Sequence, residues 1–399
     1  MPSKHQFFLV AGLLVIASVA STTQARTVTD EVRVRLFEKS VPQALTVSAD
    51  RGLVFLPGEG SNSILAEAPP YEKVTIQRYG SDLYVRLRET AFNARSLRVV
   101  PRDDGLFNVA VIEGKGNQEA RRYPGRLNLT IDASGTPALL LVNQVRLDEY
   151  VACVVSSEYG FNDLEGAKAM AVLARTYVLR TAGIFGTAYD LVDHQMAQQY
   201  DGADRLTDAA VEATIQTLGE VLTYQGQLVE AVYSSSSGGH TADNDAVWNG
   251  KPVPYLRGVP DPYDAASPHA QWHTTVPRSR LLRALSQRFG VAVDDVHISR
   301  RSRDGRAQTI ELTQQGRTAQ VIQSNAFRML VNQNFGITSL KSTLFDIHKG
   351  DDHYVFEGRG FGHGVGMSQY GALGMSKQGF SYRDILAFYF TGTQVQRWR

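Results

Sequence analysis

Cysteine is almost absent: Cys153 is the single one among 399 residues. That excludes an intrachain disulfide framework and any zinc site built on several thiolates. With Tyr150, Val151, Val154 and Val155 around it, the lone thiol reads as a small buried hydrophobe. An excess of one charge is missing too. Lys+Arg 41 against Asp+Glu 40 gives +1, so global charge offers no argument for nucleic acid or an anionic membrane. No apolar run is long enough to span a bilayer comfortably; Phe7 to Ala20 covers about 14 residues where about 20 are needed. Metal-ligand spacing is lacking as well. His269 and His273 stand at i, i+4, but no Glu follows His269, and His348 and His353 are not at a helical spacing. No metal site is expected, and no cofactor.

What is present begins with a targeting pattern. Lys4 and His5 precede the apolar run, and small residues Thr23 and Ala25 follow it. This fits a signal peptide, residues 1–25, cleaved after Ala25, with Ser18 and Ala20 as a second possible site. The alternative is an uncleaved anchor. The expectation is an exported protein with no stable membrane span after cleavage.

Residues 26–148 read as β-rich. Val32 to Leu36, Leu83 to Leu87 and Leu127 to Ile131 alternate at period two, separated by Pro57-Gly58, Gly80-Ser81 and Ser134-Gly135. Residues 149–399 read as mixed. Asn162 to Glu165 predicts a helix start with Glu165 as capping partner; apolar residues from Leu164 to Val178 continue at helical spacing. Further helices are predicted over 209–218, 279–289, 324–331, 368–377 and 381–390. Ser234 to Pro268 is a long irregular segment rich in Ser, Gly, Asp and Pro. Without a steady β-α-β rhythm the fold class is α+β.

Two stretches suggest chemistry. Glu158 lies in mostly uncharged Val154 to Tyr159, which joins an expected apolar strand or turn to the long helix. A carboxyl partly buried there is a plausible proton donor, though it could equally favour a helix N-terminus. Gly358 to Gly371 alternates glycine at 358, 360, 362, 364 and 366. In an extended chain this leaves one side open to a ligand or another backbone, whereas glycines holding positive φ would be structural. The run fits neither a dinucleotide fingerprint, nor a phosphate loop, nor a nucleophile elbow.

Taken together, Ser157-Glu158, Ala174 to Tyr177, Tyr233 to Gly239, Pro254 to Leu256, Asp261 to Asp264 and Gly360 to Gln369 resemble the SpoIID/LytB family of sporulation proteins and amidase enhancers. The resemblance runs in order from about Val28 to the C-terminus. It implies a periplasmic or cell-wall protein acting on peptidoglycan glycan strands, with Glu158 as the acid of a lytic transglycosylase. It further implies a cleft lined by Arg175, Gln199, Tyr200, Ser236, Ser237, Gly238, Gly239, His363, Gly364, Ser368, Gln369 and Tyr370. One carboxylate suffices for such a reaction, because the attacking muramic C6 hydroxyl already belongs to the substrate. The rival reading is a non-catalytic, peptidoglycan-binding enhancer of an N-acetylmuramoyl-L-alanine amidase partner.

Overall fold

A computed structural model describes residues 30–398 apart from 59, 114, 115, 118, 119 and 249. The expected signal segment, 1–25, lies outside the described residues. The described chain forms two compact units, residues 30–221 with 397–398, and residues 222–396. Both helices and strands contribute, the strands in several sheets, so the fold is α+β.

The first unit is built on two seven-stranded sheets. One runs in the order Leu191–Val192, Glu31–Leu36, Ala138–Arg146, Arg126–Asp132, Leu97–Pro101, Leu53–Pro57, Ala66–Ala68. The other is centred on Ala44–Ala49 between Phe107–Glu113 and Val74–Tyr79. Alternation in the sequence maps directly onto burial: Val32, Val34 and Leu36 point inward from one strand, Leu127 and Leu129 from another. The sheets pack through Arg126–Asp132 on Asp82–Arg86 and Ala138–Arg146 on Val74–Tyr79.

Three helices follow: α1 (Leu147–Glu158), α2 (Leu164–Thr181) and α3 (Asp208–Gln216). They pack on one another. α1 corrects the apolar strand or turn expected just ahead of the long helix. Tyr150 to Ser156 is buried without a break, and a helix enclosed on all sides shows no amphipathic period, so its run looks like a buried strand. Cys153 is among these residues, and burial pushes its thiol up to about 12. The α2 cap is corrected too. Asp163, not Asn162, accepts from Gly166 N at 2.9 Å, and Glu165 instead pairs with Lys168.

In the second unit, α4 (Asn244–Trp248) lies in the long irregular segment, and α5 (Arg278–Phe289) ends on Gly290 at φ +70°. α6 (Ser324–Phe335), α7 (Gln369–Lys377) and α8 (Tyr382–Tyr389) complete the helices. Two three-stranded antiparallel sheets stand among them. Trp272–Pro277 and Phe345–Lys349 flank His353–Gly358, while Asp295–Arg301, Ala307–Gln314 and Arg317–Gln323 form a meander. Val276, Leu281, Leu285, Ile310, Phe327 and Phe356 sit in their common core. Ser234 to Pro268 is irregular, as expected, yet Ser234 to Gly238 is buried rather than exposed.

Candidate functional site

Glu158 is the last residue of α1 and is half-buried. This corrects its expected place ahead of a helix start. A helix C-terminus carries the negative end of the macrodipole, so the helix offers this carboxylate no stabilisation. Other groups fix it. Tyr159 N and Gly160 N both return to Val155 O, with Gly160 at φ +60°, and the chain turns sharply into α2. Tyr159 Oη donates to Asp163 Oδ2 at 3.2 Å, and Gly166 must be glycine because a Cβ there would overlap the same hydroxyl.

The opposite wall is the loop from Asp193 to Gly202. Gln199 N donates to Glu158 Oε1 at 2.7 Å, and Asp201 N reaches Ser157 Oγ at 3.4 Å. Gln199 Nε2 donates to Asp201 Oδ1, which also faces Arg121. The loop is anchored from beneath. Tyr200 Oη donates to Asn143 Oδ1 at 2.7 Å, while its ring lies 4.9 Å from Tyr150 and 5.7 Å from Tyr123. Gly202, at φ +77°, presses onto Arg122 O where no Cβ would fit. Tyr200 is thus wholly buried and acts as a foundation of the loop, not as an exposed sugar contact.

Arg175 is likewise internal, 1% exposed. Its Nε and Nη2 donate to Asp148 Oδ1 and its Nη1 to Glu220 O, clamping α1 and α2 to the chain that follows α3. Such a side chain positions the Glu158 helix and does not line an open cleft.

The remaining candidates belong to the second unit, and three of them, Ser236, Gly238 and Ser368, converge on a residue outside the expected set. Asp264, buried, accepts from Ser236 Oγ (2.7 Å), Gly238 N (2.9 Å) and Ser368 Oγ (2.8 Å). Ser368 also caps α7 by accepting from Gly371 N. Ser237 Oγ accepts from Gly239 N, and Gln369 is buried. Tyr370 is half-buried, its ring 5.8 Å from His269. Asp261, beside this network, is pushed up to about 6, chiefly by burial.

The glycine run is not the open extended wall. Gly360, Gly362, Gly364 and Gly366 all have positive φ, between +73° and +109°. A Cβ on Gly360 would meet Ser236 O at 2.9 Å, and one on Gly366 would overlap Val232 O. The structural reason for these glycines therefore holds. His363 turns inward as well: its Nδ1 accepts from Val365 N at 3.0 Å, its ring lies tilted 5.1 Å from that of Trp248, and burial lowers it to about 4. It is neutral at pH 7.

Among the described residues, no group of three His, Cys, Asp or Glu could hold a metal ion, and no helix is long and apolar enough to cross a membrane.

Comparison with known proteins places these residues in context. Residues 136–224 match the family model "Stage II sporulation protein". Residues 263–366 match a domain of unknown function (DUF8618). Stage II sporulation protein D of Bacillus subtilis is 32% identical over 64% of this chain and 75% of its own length. The chain belongs to the SpoIID/LytB family. An amidase enhancer of B. subtilis is 30% identical over 58% of this chain but 38% of its own length. An uncharacterized protein of Brachyspira hyodysenteriae is also 30% identical, over 64% of the chain. The SpoIID match contains α1, α2, Glu158 and the Gln199 loop, whereas the Asp264 network and the glycine run lie beyond it.

Proposed function

We propose that this SpoIID-family chain is an exported lytic transglycosylase of peptidoglycan glycan strands, with Glu158 as acid and base. The observation that carries the reading is the half-buried Glu158 carboxylate, held by Gln199 N–H at the α1 terminus inside the SpoIID-matching segment. In the proposed reaction, protonated Glu158 gives its proton to the glycosidic oxygen between the two sugars, and the C1–O bond breaks. The carboxylate then takes the proton of the muramic C6 hydroxyl as that oxygen bonds to C1, closing a 1,6-anhydro ring. The proton returns to Glu158, no water is consumed, and no second carboxylate is required. Gln199 N–H orients the carboxylate through both steps. Arg175 and Tyr200 keep α1 and the loop in place. Gln199, half-buried on the loop beside Glu158, contributes a sugar contact.

The test is digestion of purified glycan strands followed by mass analysis for 1,6-anhydro-muramyl ends. Their absence with a folded protein overturns the catalytic reading. The similarity to an amidase enhancer favours a second one, in which the same surfaces bind peptidoglycan and stimulate an N-acetylmuramoyl-L-alanine amidase. A rise in amidase turnover, with no anhydro ends formed by this chain alone, selects it. Export is checked by intact mass: loss of residues 1–25 supports it, and retention favours an anchored protein.

A further inference from the structure

The second unit contains a cationic cavity that the glycan reading leaves without a task. It encloses about 30 Å³, enough for one or two waters or a carboxylate head, too little for a sugar ring. Its lining includes Arg306, Arg328, Ser324, Asn325, Trp248 and His363.

Arg306 is 2% exposed. Its Nη2 donates to Ser237 O at 2.6 Å and His240 O at 3.1 Å. Its Nε lies 2.7 Å from Asp304 Oδ2 without aligning for a hydrogen bond, and its Nη1 is buried with no hydrogen-bond partner. Arg328, 6% exposed, donates to the Leu340 and Lys341 carbonyls and has no ion pair with an acid among the described residues. Arg306 also feels Asp264 and Arg359, so three guanidinium charges, Arg306, Arg328 and Arg359, stand against two carboxylates, Asp304 and Asp264, and His363 is neutral. The excess is one positive charge.

The cavity also receives the N-terminus of α6. This 12-residue helix has no side-chain cap and no acidic residue in its first turn. The Ser324 hydroxyl at its first position is buried and unpartnered. An uncapped helix N-terminus, a hydroxyl and a guanidinium nitrogen therefore line one small space, the last two each a donor without an acceptor.

We infer that this cavity is a binding site for a single carboxylate group, seated between Arg306 and the N-terminus of α6. One excess charge matches a monoanion, and the unpartnered Arg306 Nη1 and Ser324 hydroxyl leave one donor for each of a carboxylate's two oxygens. The assignment does not depend on the glycan-cleavage reading.

The experiment is a titration with sodium acetate against sodium chloride at constant ionic strength, read by thermal unfolding and calorimetry on the whole chain. The wild type should show a saturable rise in melting temperature. Ser324→Ala should weaken acetate several-fold, and Arg328→Gln should abolish the response. Should Arg328→Gln fail to fold, Asn325→Asp keeps the test decisive, because it delivers a carboxylate to the same mouth. That variant should melt above wild type in chloride and no longer respond to acetate. No saturable response in the wild type overturns the site, as does an equal response in Ser324→Ala and Asn325→Asp. Phosphate binding as tight as acetate overturns the carboxylate assignment.

Discussion

Glu158 and Gln199 are joined by a 2.7 Å hydrogen bond from the Gln199 backbone N–H to Glu158 Oε1, across 41 positions of sequence. The bond needs no particular side chain at 199; it needs the loop to be where Tyr200 and Gly202 put it. The carboxylate is therefore positioned by buried groups that never reach a substrate.

Glu158→Gln should eliminate glycan cleavage while leaving the fold intact. The amide oxygen can still accept from Gln199 N, so the loop stays docked, and what disappears is the exchangeable proton. A loss of at least about 10²–10⁴-fold is expected, read as anhydro-muramyl ends per enzyme alongside the circular dichroism spectrum. Turnover close to wild type would end the assignment.

Tyr200→Phe tests the foundation beneath it. Removing the hydroxyl deletes the bond to Asn143 Oδ1 inside the protein, and a lost buried hydrogen bond costs about 1–3 kcal/mol. Urea unfolding should register that loss, with glycan affinity unchanged. A fall in affinity without a fall in stability would make Tyr200 a direct sugar contact after all.

Asp264→Asn should destabilise the second unit by about 2–4 kcal/mol, because three donors lose a charged acceptor and the amide cannot serve them equally. Denaturant midpoints measure it. A midpoint at the wild-type value would remove Asp264 as the hub of the Ser-Gly loop.

Two glycine substitutions separate strain from crowding. Gly239, at φ +98°, has nothing within 4 Å of a would-be Cβ, so Gly239→Ala should cost about 1–2 kcal/mol through backbone conformation alone. Gly366, at φ +73°, has Val232 O in the way, and Gly366→Ala should cost clearly more. Equal costs in thermal unfolding would contradict the packing seen around Gly366.

Acid should destabilise the protein through His269 and His363. Burial, aided by Lys341 at the first and Arg306 at the second, lowers both from 6.5 to about 4. The unfolded chain thus binds protons before the folded one, so their contribution is complete above about pH 6.5 and fades as pH falls towards 4. Asp261 works the other way: raised from 3.8 to about 6, it makes the fold less stable as pH climbs through that window. His269→Gln should flatten the dependence of melting temperature on pH between 4 and 6.5, and an unchanged slope would contradict its burial.

The sequence announced much of the frame. Period-two alternation in Val32 to Leu36 and Leu127 to Ile131 became strands with inward apolar faces, and the helix that the apolar pattern from Leu164 to Val178 predicts runs from Leu164 to Thr181. α1 was illegible because continuous burial erased its period. The glycine run was legible as special but not as to why, since φ depends on contacts with Ser236 and Val232, remote in sequence. Arg306 and Arg328 left no motif at all. An arginine in a loop and another in a helix look like solvent-facing charges until the chain is folded around them.

Asp264 also has a consequence for the order of folding. Its partners include Ser368, 104 positions further along, and Tyr233–Ser234 pairs in parallel with Met367–Ser368. Until that late segment arrives, the Ser-Gly loop lacks its neighbouring strand and the carboxylate lacks one of its three donors. Closure of the second unit therefore waits on long-range contacts, the slow kind in any chain. A ribosome that has released residues only as far as the meander delivers a half-closed unit, with its buried serines still open to solvent and to proteases.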